Sequence, residues 1–163
     1  MERLMIRGLF LLCVSLFPFA VKTPKYKEML IVFFSKGVLS ILLDTFVVNT
    51  GRVKYPIRPM PKIFSTNILY DLLFFPLLSI FWVRQTYHDK LPYILLKSMT
   101  WSVPMSILQW FMEKKTDLFE WKKWSILHTF ASVNFTLFTI RALVGLVKIF
   151  NRNSSSEAPI TLE

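Results

Sequence analysis

The stretch MLIVFFSKGVLSILLDTFVVN, residues 29–49, is apolar along nearly its whole length. A membrane helix needs about 20 consecutive, predominantly apolar residues to cross the hydrocarbon core, and this stretch is long enough. It nevertheless contains Lys36 and Asp44. A charged side chain at the centre of a membrane helix costs at least about 2.5 kcal/mol, so such a residue is treated first as functional. The stretch therefore predicts a membrane helix whose interior charges need partners.

Four further segments have the length and apolarity of membrane helices, at about residues 5–21, 64–83, 93–112 and 125–150. The chain has 163 residues, of which 53% are hydrophobic and sixteen are Phe, and a soluble domain of this size cannot bury so much apolar side chain. We predict an all-α fold, an integral membrane bundle of about five transmembrane helices that forms one domain over residues 1–150. The polar end, residues 151–163, is typical of a disordered tail.

The first segment has two interpretations. Arg3 and Arg7 precede and open an apolar core, which resembles the start of a secretory signal peptide. The end of the segment, FPFAV at residues 17–21, offers no small-x-small cleavage site. We therefore favour an uncleaved membrane helix over a signal peptide.

The chain is strongly basic, with a formal net charge of +10 at pH 7. Most Lys and Arg lie in the short gaps between apolar segments, where they act as topology signals and attract anionic lipids. More of them fall on the amino-terminal side, which predicts a cytoplasmic amino terminus in a multi-pass protein. The expected partners are the lipid bilayer, its anionic lipids, and membrane proteins or further copies of the chain. Nucleic acid is not expected, because no basic groove with interleaved aromatic residues occurs.

The polar residues inside the predicted helices fall into two layers, because consecutive membrane helices alternate in direction. The first layer, nearer the amino-terminal side, contains Asp44, Asp71, Gln109 and His128. The second layer, in the opposite half, is cationic and contains Lys36, Lys97 and Arg141. The two layers suggest two different environments within the bundle.

The two layers call for different explanations. Long cationic side chains near helix ends can extend to the headgroups, and we expect this of Lys97. For Lys36 and Arg141, extension to the headgroups and an interior role stay equally open. Aspartate is too short to escape, so Asp44 and Asp71 either pair with a basic loop residue or bind a substrate, an ion or a proton.

The gap between the second and third predicted helices, TGRVKYPIRPMPKIFSTN at residues 50–67, is basic and rich in proline. Three prolines remove backbone donors and disfavour helix before them, so we expect this proline-rich loop to be extended. It either lies along the headgroups or folds over the acidic layer. In the second case Arg58, a planar bidentate donor, is the predicted partner of Asp44 or Asp71.

Two stretches, DTFVVNTGRVKYPIRPMPKIFSTNILYDLLFFPLLSIFW and EWKKWSILHTF, resemble a family of small uncharacterised polytopic membrane proteins from endospore-forming Firmicutes. The resemblance covers about residues 25 to 150. It implies a bacterial source, a cell-membrane location and a multi-helix fold. It implies no activity, cofactor or catalytic residue.

The sequence contains no G-x-G-x-x-G, P-loop or H-E-x-x-H motif, and Cys13 is its only cysteine. We expect no catalytic residue, cofactor or metal, and predict that the protein is not an enzyme. The favoured function is a structural or accessory component of a bacterial membrane assembly. The alternative is a small transporter or ion or proton pathway that uses Asp44, Asp71 and His128. A membrane-embedded lipid-modifying enzyme is a minor alternative.

Overall fold

The computed structural model describes residues 2–156, which form five α-helices, one π-helical turn and one two-stranded antiparallel sheet. The α-helices are α1 (Glu2–Val21), α2 (Tyr26–Asn49), α3 (Phe75–Thr86), α4 (Leu91–Lys115) and α5 (Ile126–Ser156). The π-helical turn spans Tyr70–Phe74 and runs directly into α3. The strands are β1 (Val53–Lys54) and β2 (Glu120–Trp121).

The predicted all-helical class is confirmed. Three helical stretches among the described residues are long and apolar enough to cross a membrane: Glu2–Val21, Tyr26–Asn49 and Ile126–Phe150. The count of five transmembrane helices stays a prediction.

Two predicted boundaries differ from the structure. The third helix does not begin at Phe64: residues 64–67 are not helical, and the carbonyl of Asn67 accepts the first helical hydrogen bond, from the N–H of Asp71. At the other end, α5 continues to Ser156, so residues 151–156 are helical where a disordered tail was predicted. The rest of that predicted tail, residues 157–163, lies outside the described residues.

One end of the bundle is covered by a cap that the proline-rich loop and residues 116–125 form together. The two segments pair through the strands, with Val53 opposite Trp121. Val53, Leu118 and Phe119 make a small apolar cluster beneath them, and Ile6 of α1 packs against it. The cap therefore joins the start of α1 to two loops that are distant in sequence.

The opposite end is closed by contacts between helix ends. The guanidinium of Arg84, near the end of α3, donates to the carbonyl of Phe19 in α1 at 2.8 Å. The hydroxyl of Tyr87, just after α3, donates to the carboxylate of Glu28 in α2 at 2.6 Å. The turn after α3 thus holds the end of α1 and the start of α2.

Helix α2 lies at the centre, against the π-helical turn, α3 and α5. The helix packs closely at Gly37, where an added Cβ would lie 3.2 Å from Leu72 Cδ2 and 3.7 Å from Pro76 Cγ. Helix α4 packs chiefly against α5 and buries three small residues at four-residue spacing, Ser98, Ser102 and Ser106. Small residues at such spacing let membrane helices approach closely.

We predict that Gly37→Leu lowers the thermal unfolding midpoint in detergent, because the new side chain overlaps Leu72 and Pro76. Overpacking of this kind costs typically about 1–3 kcal/mol. Gly145→Leu is the matched control, since an added Cβ at Gly145 in α5 has no neighbour within 4 Å. Equal midpoints for the two variants would contradict the close packing of α2.

Candidate functional site

A cavity of about 130 Å³ lies between α2, the π-helical turn, α4 and α5, directly beneath the cap. Its lining is mostly apolar, and we call it the polar cavity because ionisable side chains meet in it. This volume holds several water molecules. Its polar side chains come from four helical elements and the cap: Lys36, Ser40, Asp44, Tyr55, Tyr70, Asp71, Gln109, Ser132 and Thr136. The cavity gathers Asp44, Asp71 and Gln109 of the predicted acidic layer.

Lys36 points into this cavity. It is 6% exposed, and its Nζ donates to Thr136 Oγ1 of α5 at 2.5 Å. The same nitrogen lies 5.8 Å from the centre of the Phe75 ring and attracts the carboxylate of Asp71 through space. Extension of Lys36 to the headgroups is therefore ruled out by its hydrogen bond across the bundle.

Asp44 is held from the cap. The hydroxyl of Tyr55 donates to Asp44 Oδ1 at 2.9 Å. Burial raises the pKa of Tyr55 well above its ordinary value, and the neighbouring Asp44 carboxyl adds to the rise. The phenol therefore stays protonated and remains a permanent donor to Asp44.

Asp71 lies on the π-helical turn and is 2% exposed. The turn forms where Pro76 has no N–H to donate, and the N–H of Phe75 reaches back five residues to the carbonyl of Tyr70. A π-helical turn inserts an extra residue into a helix and is frequent at functional sites. Here it directs Asp71 into the cavity, where Thr66 of the proline-rich loop lies near its carboxyl group.

Asp44 and Asp71 line the same cavity, and their carboxyl groups are near enough to interact with each other. The Oδ2 atom of each is buried and receives no hydrogen from any donor among the described residues. A buried acceptor without a donor is costly. A proton held between the two carboxyl groups, or a bound cation, supplies what both oxygens lack.

Arg58 does not pair with either aspartate, and that prediction is wrong. Its guanidinium donates to backbone carbonyls of its own loop, to Tyr55 at 2.5 Å and to Phe64 at 2.8 Å. Arg58 therefore shapes the proline-rich loop, and Tyr55 is the loop residue that meets Asp44. The sequence signal for Tyr55 is the period of two in a strand, which puts Tyr55 on the same inward face as buried Val53.

His128 does not line the cavity, so its predicted place beside the aspartates is wrong. It lies in the first turn of α5 and is exposed. Its Nδ1 is 2.7 Å from Ser125 Oγ, and its ring packs on Trp124 with the ring centres 5.1 Å apart. The residues of α5 that line the cavity lie further along the helix, at Ser132, Val133 and Thr136.

The other members of the cationic layer lie at the opposite end of the bundle. Lys97 forms an ion pair with Asp89 at 2.6 Å. Arg141 donates to the carbonyls of Thr86 and Tyr87, each at 3.2 Å. Cations at the carboxyl end of a helix satisfy its last carbonyls and its dipole. Lys97 and Arg141 thus stabilise the end of α3 and are separate from Lys36.

Tyr87 joins three helices at that end. The Nζ atoms of Lys25 and Lys148 lie 3.5 Å and 3.3 Å from the centre of its ring. Burial and then the hydrogen bond to the Glu28 carboxylate raise the pKa of Tyr87 to about 12. The ring therefore stays neutral and holds two cations by cation–π attraction.

Comparison with known proteins supplies no relative: no protein-family model, no curated protein and no solved structure matches the chain. The resemblance to small polytopic proteins of endospore-forming Firmicutes therefore stays an expectation.

We predict that the hydrogen bond between Tyr55 and Asp44 couples the cap to α2. Tyr55→Phe removes the donor and leaves a buried acceptor, which should lower the free energy of unfolding by about 1–3 kcal/mol. In a double-mutant cycle with Asp44→Asn, measured by equilibrium unfolding in detergent, the two losses should be non-additive by at least about 0.5 kcal/mol.

The control cycle combines Tyr55→Phe with Asp89→Asn, which alters the ion pair with Lys97 at the opposite end of the bundle, so the two losses should add. Additive losses for Tyr55 and Asp44, or coupled losses for Tyr55 and Asp89, would contradict this arrangement.

Proposed function

We propose that the protein is a multi-pass protein of a bacterial cell membrane in which the Asp44–Asp71 pair takes up and releases a proton or a small monovalent cation during transport. The observation that carries this proposal is the pair of neighbouring carboxyl groups in one cavity, each with a buried oxygen that has no donor. Ionisable groups inside a membrane bundle mark ion pathways and proton relays.

The charges of the cavity favour a monovalent species. Two carboxylates and the ammonium of Lys36 sum to one negative charge, which one proton or one monovalent cation neutralises. Within residues 2–156 no group of three or more His, Cys, Asp or Glu side chains could hold a metal ion. The remaining lining offers hydroxyl groups, such as those of Ser40 and Thr136, which can bind water or a small cation.

Contacts at the two ends of the bundle support five transmembrane helices. The cap pairs the loop after α2 with the loop after α4, as expected if both loops lie on one side of the membrane. At the other end Tyr87 contacts Glu28 and Lys148, as expected if the turn after α3 shares a side with the start of α2 and the later part of α5. We propose that the amino terminus and the cap lie on the cytoplasmic side.

We predict that Asp44→Asn and Asp71→Asn each reduce flux to the level of protein-free vesicles, because each removes one half of the exchanging pair. The measurement is proton flux into vesicles that contain the full chain and a trapped pH-sensitive dye, repeated under sodium and potassium gradients. Asp89→Asn is the matched control: it alters a carboxylate in the ion pair with Lys97, away from the cavity, and should keep the wild-type rate.

A rate for the wild-type protein equal to that of empty vesicles under all three gradients would contradict the transport proposal. The favoured sequence-based function, a structural or accessory membrane component, would then account for Asp44 and Asp71 as purely stabilising residues. Size-exclusion profiles of each variant in detergent establish that a lost rate does not come from misfolding.

We predict that single-cysteine variants in a Cys13→Ser background react with a membrane-impermeant maleimide from the side of the membrane that a five-helix topology gives them. Lys62→Cys and Lys123→Cys, both exposed on the cap, should label from the same side of the membrane. Lys90→Cys, exposed in the turn after α3, should label from the opposite side. Labelling of all three from one side would contradict the arrangement.

A further inference from the structure

A second cavity, a groove of about 600 Å³, lies on the outside of the bundle between α1, the π-helical turn and the proline-rich loop. Phe10 and Leu11 line it from α1, Met60 from the loop, and Leu72 from the π-helical turn. Its lining is apolar except for Arg7. It is separate from the polar cavity that contains the aspartates.

The walls of this groove face outward. Phe10, Leu11 and Met60 are 50%, 64% and 52% exposed. An apolar groove offers water no hydrogen-bond partners and is poorly hydrated. In a bilayer, the molecules that surround this groove are lipids. A flexible acyl chain matches both the shape and the chemistry of the lining.

Arg7 lies at the edge of the groove, and its guanidinium has no hydrogen-bond or ion-pair partner among residues 2–156. The residue is exposed. It lies about 7.5 Å along α1 from Glu2, close to the end of the helix and therefore near headgroup depth. A guanidinium binds phosphate with two parallel hydrogen bonds.

The lip of the groove is formed by backbone in an unusual conformation. Met60 has φ +48, the left-handed region that a residue other than glycine rarely adopts. Its carbonyl accepts hydrogen bonds from the N–H groups of Ile63 and Phe64, at 3.0 and 3.2 Å. Strained residues of this kind cluster at ligand clamps, where the surroundings hold them. Met60 thereby projects its side chain against the groove.

We propose that the groove binds an anionic phospholipid, with one acyl chain between α1 and the π-helical turn and the phosphate on Arg7. A second copy of the chain is a poorer occupant, because the whole chain has a net charge of +10 and a second copy would on balance repel Arg7. The phosphate supplies the negative charge that Arg7 lacks. The lipid joins α1 to the proline-rich loop that carries Tyr55.

The test measures lipids bound to the full chain by native mass spectrometry after incubation with phosphatidylglycerol or phosphatidylcholine of identical acyl chains. Arg7→Gln should weaken phosphatidylglycerol binding about tenfold, as expected for the loss of charge-assisted hydrogen bonds, and leave phosphatidylcholine unchanged. Arg3→Gln is the matched control. Arg3 is exposed on the same helix but does not line the groove, so its variant should bind as wild type.

A second pair of variants tests the groove itself. Leu11→Trp places a ring in the groove and should reduce binding of both lipids. Leu4→Trp adds the same ring at an exposed position of α1 outside the groove and should not. Equal losses for Arg7→Gln and Arg3→Gln would overturn the proposal. So would a Leu11→Trp variant that keeps its bound lipid but dissociates a dimer, since the occupant would then be a second copy.

Discussion

The hydrocarbon core of a bilayer contains no water, so every polar atom inside it must find its partner within the protein. That constraint falls most heavily on α2, which carries Lys36 and Asp44 into the bundle. Lys36 donates a hydrogen bond to Thr136 on α5, and Asp44 accepts one from Tyr55 in the cap. These partners tie α2 to a distant helix and to a loop. The charges that are expensive to bury therefore also determine which elements must pack around α2.

The two ends of the bundle differ in how their charged side chains are partnered. At the Tyr87 end, cations meet backbone carbonyls and carboxylates directly, as in the ion pair of Lys97 with Asp89. At the cap end, the π-helical turn brings Asp71 against Asp44, and each leaves one oxygen without a donor. We propose that the exchangeable proton or cation binds at this end. The donor-free oxygens of Asp44 and Asp71 therefore set the cap end apart from the ion pair at the Tyr87 end.

Much of this architecture could be predicted from the sequence, because a long apolar run in a bilayer has few stable forms other than a helix. The shared depth of Asp44, Asp71 and Gln109 followed from alternating helix directions alone. The π-helical turn was not predicted, because Pro76 by itself does not distinguish a π-helical turn from a kink or from the start of a helix. Strand alternation places Tyr55 on the face of Val53, but the choice of Tyr55 over Arg58 as the partner of Asp44 also depended on the pairing of two distant loops.

The proposed sharing of a proton or cation by Asp44 and Asp71 is tested most directly by infrared difference spectroscopy of the full chain in lipid vesicles. Spectra are compared between acidic and alkaline buffers, and between buffers with and without sodium or potassium. A carboxyl C=O band should change with the buffer in the wild-type protein and in Asp89→Asn, and should be lost in both Asp44→Asn and Asp71→Asn. The same buffer-dependent carboxyl band in all four proteins would contradict an exchanging aspartate pair.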